Sequence, residues 1–426
     1  MKIRLIIIAM IFSSIFAAAE TKKSPGFFAL YGWGETLIEH LSDIDKAGIK
    51  WLRVGGPMPS KEADKCILEA AKRGIHCVPF VGDYRQRELA QKNDMKTWRE
   101  LVKNTVLRYG TNGTLWQENS SVRPVPVEYI EIWNEPNIDH LEAPPGKLRD
   151  ECYYELLKLA YEEIKALNKD IQVIGFNTAG GIWKSNTGPK PDGMFEKIKH
   201  FGWFKFIKDI NKIGGSKYYD IAGIHPYTTP RAPEKVGLFE ALEKLRAELK
   251  QNGNNQPVWY TEVGYPLDYP NNGNVRDEDQ QADYLLRLFA LASSRGIVQV
   301  QVMYVTDIIF SNDNSKRTFG FFTPDKRWRK QATATKVMID LLGDPPEFVN
   351  AAADGVQGFY EYVFKGKNGK NVLMAWTIND EAEEKEIKVG STSAPVIDKM
   401  GVKRILTAED GKIKLKVSGS PQFIIE

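Results

Sequence analysis

The sequence predicts a (β/α)8 barrel followed by a small all-β domain. Short apolar runs alternate with amphipathic helical segments over about three hundred residues, a pattern typical of repeated strand–helix units. Eight such units follow one another in roughly the length expected for one barrel. Beyond Asp344-Pro345-Pro346 the helical spacing gives way to short strands. We therefore predict a barrel domain at residues 20–344 and a β-sandwich domain at residues 345–426.

The first four strands are bounded by residues that begin or end regular elements. Ser60 can cap the helix of the second unit, and Gly74 suits the end of that helix. A polar insertion at residues 111–122 precedes the fourth strand. The predicted strands are Gly26–Tyr31, Ile49–Val54, Ile75–Val81 and Val127–Trp133.

The last four units continue the same alternation. The clearest helical stripe has spacings of four, three and four residues and consists of Leu238, Leu242, Leu245 and Leu249. Asp277 with Gln280 resembles a capping pair at the start of the next helix, and a final helix runs from about Lys330 to Leu342. The predicted strands are Ile171–Phe176, Asp220–His225, Pro257–Glu262 and Ile297–Tyr304. Consecutive units of this kind predict parallel pairing with right-handed crossovers.

The C-terminal region has a different period and different turns. Asn368-Gly369 and Asp410-Gly411 mark tight turns between short apolar runs. The runs at Phe359–Phe364, Val372–Thr377 and Lys412–Val417 are predicted strands. About eighty residues of this kind indicate a small sandwich, for which we expect a structural role.

The N-terminus has the three-part form of a secretory signal. Lys2 and Arg4 precede an apolar run at residues 5–16, and Ala17-Ala18-Ala19 follows it. We predict cleavage after Ala19 and a secreted or periplasmic protein. An uncleaved anchor is the alternative, but the run is shorter than the roughly 20 residues that span a bilayer.

The charge balance excludes two classes of partner. The formal net charge is +3, and removing the two basic residues of the predicted signal leaves +1. Such a balance indicates neither a nucleic acid partner nor stable membrane insertion. The sequence makes no prediction of an oligomeric state.

Cysteine and histidine spacing indicates no metal or cofactor chemistry. The chain has three cysteines without a Cys-x-x-Cys spacing. Cys66 and Cys77 would form a disulfide if the fold brought them together, and two separately buried thiols are the alternative. The histidines outside the sixth strand show no ligand spacing, so we predict no catalytic metal and no cofactor.

Two glutamates occupy equivalent places three units apart. Glu135 follows the fourth predicted strand, and Glu262 ends the seventh. Because the carboxyl ends of parallel strands meet at one face of a barrel, both side chains are expected in one pocket. Two carboxyl groups supply the proton donor and the nucleophile that cleavage of a glycosidic bond requires.

The motifs around these glutamates resemble those of the retaining (β/α)8 glycoside hydrolase clan. Trp133-Asn134-Glu135-Pro136-Asn137 is similar to its acid/base motif, and Thr261-Glu262-Val263-Gly264 to its nucleophile motif. The resemblance implies that Glu135 is the acid/base and Glu262 the nucleophile. It further implies a sugar 2-hydroxyl contact for Asn134.

The same resemblance extends to the second and sixth strands. His225-Pro226-Tyr227 is similar to the clan's His-x-Tyr, whose tyrosine donates to the nucleophile, and Arg53 matches an arginine near the same group. The alternatives are a core tyrosine with a satisfied hydroxyl, a structural ion pair and a satisfied core histidine. Glu131 lies within a predicted buried strand, where a paired structural acid is expected.

Within the clan, the chain most resembles family 39, which contains β-xylosidases, iduronidases and exopolysaccharide glycosidases. The residues concerned are the run at 131–135, the strand at 220–227, the helix start at Gln280-Gln281-Ala282 and the C-terminal β-domain.

Aromatic residues near strand ends are candidates for stacking on sugar faces, with core packing as the alternative. Among these we predict substrate contacts for Trp183 and Tyr304.

These inferences lead to a functional prediction with one alternative. The chain is expected to be an exported retaining β-glycosidase that hydrolyses a polysaccharide or oligosaccharide through two glutamates and without a cofactor. The alternative is a catalytically silent barrel that binds carbohydrate, since function belongs to the site rather than to the fold.

Overall fold

The computed structural model describes residues 25–181, 202–253, 255–269, 274–309 and 316–426. The predicted signal peptide at 1–19 and Trp183 lie outside these ranges. Eight parallel strands form a closed barrel in which β1 pairs with both β2 and β8. The strands are β1 (Phe28–Gly32), β2 (Trp51–Val54), β3 (His76–Val81), β4 (Tyr129–Ile132), β5 (Gln172–Gly181), β6 (Ile221–Tyr227), β7 (Val258–Val263) and β8 (Val300–Met303). The predicted barrel is confirmed.

Helices follow the strands and cover the barrel. They are α1 (Gly34–Lys46), α2 (Lys61–Ala71), α3 (Arg87–Gln91), α4 (Met95–Tyr109), α5 (Thr114–Glu118), α6 (Arg149–Leu167), α7 (Gly202–Lys212), α8 (Leu238–Gln251), α9 (Glu278–Ser294) and α10 (Lys330–Leu342). Both predicted caps form: the Ser60 side chain accepts from the Ala63 amide at 3.1 Å, and that of Asp277 accepts from the Gln280 amide at 2.8 Å. Within the described ranges, no helix combines the length and apolar character needed to cross a membrane.

Strand β5 is longer than the sequence predicts. Its pairing with β6 shifts register between Phe176 and Thr178, and it then continues to Gly181. Phe176 and Asn177 have φ angles of 76° and 42°, in the left-handed region that strand residues avoid. Hydrophobic alternation did not reveal this irregularity, because a bulge changes the pairing without changing residue type.

The C-terminal strands form two antiparallel sheets. The strands are β11 (Glu347–Val356), β12 (Phe359–Lys365), β13 (Asn371–Thr377), β14 (Glu383–Lys388), β15 (Ser393–Asp398), β16 (Lys403–Thr407), β17 (Lys412–Val417) and β18 (Gln422–Ile425). Six of them have the order β11-β12-β13-β18-β15-β16, and β14 pairs with β17. A short pair, β9 (Ile308–Ile309) and β10 (Lys316–Arg317), lies before α10.

Strand β13 of the six-stranded sheet is buried on both faces. On β13, Leu373 and Ala375 pack into the small core that Ile387 and Leu415 of the two-stranded sheet complete. The alternate side chains of β13, including Trp376, belong to the core that is continuous with the barrel. This alternation accounts for the sandwich, since successive strand residues point to opposite faces.

A buried ion pair and an indole connect the sheet to the barrel. Arg287 of α9 donates to Glu234 at 2.8 and 2.6 Å, and the Trp376 indole N–H donates to the same carboxylate at 2.8 Å.

The three cysteines are separately buried free thiols, so Cys66 and Cys77 do not pair. Burial raises the pKa of the Cys66 thiol to about 11.

Candidate active site

The loop after β4 places Glu135 at the carboxyl end of the barrel. The amides of Trp133, Asn134 and Glu135 donate to the carbonyls of Val81, Gly82 and Asn177 at 2.8, 2.8 and 2.9 Å. These bonds tie the loop to the neighbouring strands β3 and β5. Gly82 permits this close approach, because a Cβ there would lie 2.4 Å from the Trp133 ring.

The backbone at this corner is strained. Trp133 and Glu135 have φ angles of 66° and 54°, which non-glycine residues rarely adopt. Such conformations cost about 1–3 kcal/mol each and persist where surrounding contacts enforce them, often at functional sites. The strained backbone of this corner therefore sets the position of the Glu135 side chain. The surrounding contacts of the fold offset its energetic cost.

Glu262 lies on β7 with both carboxylate oxygens hydrogen-bonded. The Arg53 Nη1 donates to Oε2 at 2.8 Å, and the Tyr227 hydroxyl donates to Oε1 at 2.6 Å. The glutamate is 7% exposed, while Arg53 is fully buried. Each oxygen of the carboxylate therefore accepts from a buried donor. Burial and the adjacent Glu262 charge raise the pKa of Tyr227 well above its ordinary value, so its hydroxyl remains a donor.

Arg53 connects three side chains from different parts of the chain. Its Nε donates to Glu131 at 2.9 Å, its Nη1 contacts Glu262, and its Nη2 donates to Asn134 Oδ1 at 2.7 Å. The guanidinium also lies 4.7 and 4.5 Å from the centroids of the Tyr31 and Phe80 rings. Burial opposes its charge, but the two glutamates outweigh this effect and raise the pKa of Arg53.

Two histidines contact the carboxyl group of Glu135. His225 Nδ1 lies 3.1 Å from Oε1, and His140 Nδ1 lies 3.3 Å from Oε2. Complete burial lowers the pKa of His225 to about 3, so this imidazole is neutral near neutral pH. The structure thus places the predicted His225 beside Glu135.

His140 is a site residue that the sequence did not predict. It lies in the loop after β4, and its carbonyl accepts from the Trp133 indole at 3.2 Å. The available signal was its position five residues after Glu135 in the same loop. That position alone did not show where the His140 side chain points, because a loop has no periodicity from which to predict it.

The two glutamates are close enough to act on one bond. One oxygen of Glu135, one oxygen of Glu262 and one ring nitrogen of His225 all lie within 4.8 Å of one another. A metal ion there would face the positive charge of Arg53, which already contacts Glu262 at 2.8 Å. The arrangement therefore fits two carboxyl groups acting on a neutral substrate better than it fits a bound cation.

Aromatic side chains pack around Tyr304 near these carboxyl groups. Tyr304 follows β8, and its ring centroid lies 5.3 Å from that of Tyr31, 5.6 Å from that of Trp33 and 6.0 Å from that of Phe319. Arg317 Nη1 is 3.4 Å from the Tyr304 hydroxyl. Tyr304 is 5% exposed, so its ring is largely engaged by neighbouring protein side chains. Its predicted role in sugar contact stays a prediction, as does that of Trp183.

Known proteins resemble the chain at the level of structure. No family model matches it, and neither does any curated protein sequence. A family 39 glycoside hydrolase from the gut symbiont Bacteroides cellulosilyticus WH2 has a TM-score of 0.70 and 21% identity, covering 94% of this chain and 81% of that chain.

Members of two other glycoside hydrolase families are also similar. A GH51 arabinofuranosidase from Xanthomonas axonopodis pv. citri has a TM-score of 0.61 and 11% identity over 91% of this chain and 89% of that chain. A GH30 endoxylanase from Clostridium papyrosolvens C71 has a TM-score of 0.55 and 12% identity over 95% and 96%. At these identities the similarity establishes the shared fold. The resemblance predicted from the motifs is confirmed at that level.

Proposed function

We propose that this protein is a retaining β-glycosidase that hydrolyses O-glycosidic bonds of a polysaccharide or oligosaccharide. The observation that carries the proposal is the separation of Glu135 and Glu262, which have a pair of oxygens within 4.8 Å. Retaining enzymes have carboxyl groups about 5–5.5 Å apart, whereas inverting enzymes need about 6.5–9.5 Å to admit a water molecule. The separation supports direct attack on the sugar by one carboxylate.

Glu262 has the environment of the nucleophile. Arg53 and Tyr227 each hydrogen-bond one of its oxygens, and both contacts stabilise a negative charge. In the first step Glu262 attacks the anomeric carbon and the glycosidic bond breaks, which forms a covalent glycosyl-enzyme. In the second step water cleaves that intermediate and restores the free carboxylate.

Glu135 has the environment of the acid/base. His140 and His225 contact its carboxyl group, and the buried His225 is neutral. Its proton is delivered to the leaving oxygen in the first step, and the resulting carboxylate removes a proton from water in the second. The environments of the two glutamates therefore support a division of roles.

Asn134 is oriented for contact with a sugar hydroxyl. Its Oδ1 accepts from Arg53 at 2.7 Å, so its Nδ2 end points away from the guanidinium. The amide can then donate to the 2-hydroxyl of a sugar that Glu262 attacks. Such a contact accelerates the reaction when it strengthens in the transition state.

The proposal includes export, which rests on the N-terminal sequence pattern. Mass spectrometry of protein purified from the producing cell's exterior or periplasm should find a chain that begins at Glu20. An intact N-terminus on protein retained in the cytoplasm would contradict export without affecting the proposed chemistry.

The central experiment is a screen against aryl glycosides and polysaccharides, followed by substitution of each glutamate. Glu262→Ala should abolish turnover, and azide should restore release of the aryl group while giving a product of inverted configuration. Glu135→Ala should lose most activity on poor leaving groups and retain much more on good ones, because only the former need a proton. Ordinary turnover by Glu262→Ala would refute the assignment.

The alternative of a silent carbohydrate-binding barrel gives a different result. Tight binding of a glycan without release of reducing ends from any member of the panel would favour it. The wild-type protein and Glu262→Ala would then bind the glycan with similar affinity and neither would turn it over.

A further inference from the structure

Glu131 is a buried carboxyl group to which the proposed reaction assigns no step. It lies on β4 with no exposed surface, and its Oε2 accepts from Arg53 Nε at 2.9 Å. Arg53 simultaneously contacts Glu262 at 2.8 Å. One guanidinium therefore faces two carboxyl groups in an environment from which water is excluded.

The two carboxyl groups are not equivalent in their hydrogen bonds. Glu262 receives one hydrogen bond on each oxygen, from Arg53 and from Tyr227. Glu131 receives one on Oε2, and its buried Oε1 has no hydrogen-bond partner among the described residues. An ionised carboxylate with one bare, buried oxygen is costly, whereas a protonated oxygen becomes a donor.

An acceptor for such a proton lies nearby. The Gln301 side chain on β8 is within hydrogen-bonding reach of Glu131 and as a donor would lower the pKa of that carboxyl group, but its Oε1 is buried without a partner in the described chain. Gln301 Nε2 is already used, since it donates to Gln299 Oε1 at 2.9 Å. A proton on Glu131 directed at Gln301 Oε1 would satisfy both bare oxygens.

We propose that Glu131 carries a proton in the working protein and is a neutral positioning residue for Arg53. Its Oε2 accepts from the Nε of Arg53, and Glu262 alone then balances the positive charge of the guanidinium. The buried set of Arg53, Glu131 and Glu262 then has no net charge, which minimises the cost of burying it. The protonation of Glu131 does not depend on the proposed function. Only the statement that Arg53 thereby serves Glu262 as the nucleophile rests on it.

The electrostatic surroundings of Glu131 support the same assignment. Burial raises the pKa of Glu131 from an ordinary 4.5 to about 7, against the opposing effect of Arg53. The charged and titratable groups that face Glu131 come from three elements and are Arg53 of β2, Glu262 of β7 and Tyr153 of α6. Of these, Glu262 adds to the increase in the pKa of Glu131 and Arg53 reduces it, as does the contact with Gln301.

The direction of the pH dependence follows from this shift. Between about pH 4.5 and pH 7 the unfolded chain releases the Glu131 proton while the folded chain keeps it. The contribution of Glu131 to stability is therefore full below pH 4.5 and is lost as the pH rises to about 7. Glu131→Gln, which mimics the protonated acid, removes this dependence.

The test compares the melting temperatures of the wild type and Glu131→Gln from pH 5 to pH 8. At pH 5 we expect them to agree within about 2 °C, and at pH 8 we expect the variant to melt at least about 2 °C higher. An ionised Glu131 paired with Arg53 would give the opposite sign, because the variant would lose a buried charge pair. A variant that is less stable at pH 8 overturns the proposal. Glu128→Gln, at an exposed position before the same strand, is the matched control.

A second measurement follows the protonation of Glu131 directly in the wild-type protein. In wild-type protein labelled with 13C at the glutamate carboxyl carbon, one buried resonance should titrate near pH 7 and be absent from Glu131→Gln. Titration of every glutamate resonance below about pH 5.5 would also overturn the proposal. Neither readout uses a substrate, so failure here is distinguishable from failure of the proposed glycosidase activity.

Discussion

Replacing Tyr227 with Phe should lower kcat/KM of the proposed glycosidase reaction by about tenfold. The Tyr227 hydroxyl is 2.6 Å from Glu262 Oε1 in a buried environment, and the substitution removes only that hydroxyl. The ring remains next to Phe319, with the centroids 6.3 Å apart, so packing is largely preserved. The change removes the hydrogen bond to the proposed nucleophile together with the contact of the hydroxyl with Met303 Sδ.

The magnitude follows from the strength of that bond. A hydrogen bond to a charged group contributes about 1.5–3 kcal/mol, and 1.36 kcal/mol corresponds to a tenfold change in rate. The substitution removes the hydroxyl that positions the Glu262 carboxylate. Because Arg53 continues to hold Oε2 at 2.8 Å, we expect the lower part of the range, a loss of about tenfold in kcat/KM.

The assay measures kcat/KM at constant pH and ionic strength on the best aryl glycoside from the screen. Tyr265→Phe is the matched control, because Tyr265 is buried but its hydroxyl pairs with Thr228 at 2.8 Å. Equal kcat/KM in Tyr227→Phe and the wild type, with both proteins folded, would refute the assignment of Glu262.

Three further predictions concern stability and are measured by thermal or denaturant unfolding. Trp376→Phe removes the indole donor to the buried Glu234 at 2.8 Å and should destabilise the protein by about 1–3 kcal/mol, whereas an unchanged midpoint would show that the contact is not significant. Ser60→Ala removes a helix cap and should cost about 1 kcal/mol, while Ser60→Gly should cost less. Gly223→Ala places a Cβ 2.1 Å from Asn177 Oδ1 and should cost at least about 1–3 kcal/mol, and wild-type stability would contradict this steric argument.

Local patterns in the sequence determined the order and type of the elements. Each barrel strand was predicted because an apolar run of strand length follows an amphipathic stretch, and this information is contained within ten to twenty neighbouring residues. The caps at Ser60 and Asp277 were predicted for the same reason. Glu135 and Glu262 were then placed at one face of the barrel, because parallel strands have all their carboxyl ends on the same side.

Tertiary structure alone decided how these residues meet. Arg53 contacts partners 78, 81 and 209 residues away, and no local pattern shows that one guanidinium joins Glu131, Asn134 and Glu262. His140 was missed because its direction depends on how an aperiodic loop folds back over Glu135. Hydrophobic periodicity records which face of a strand is buried, whereas contacts across the lumen depend on strand register and barrel closure. The environments that distinguish the two glutamates, and the unsatisfied oxygen of Glu131, exist only once the barrel has closed.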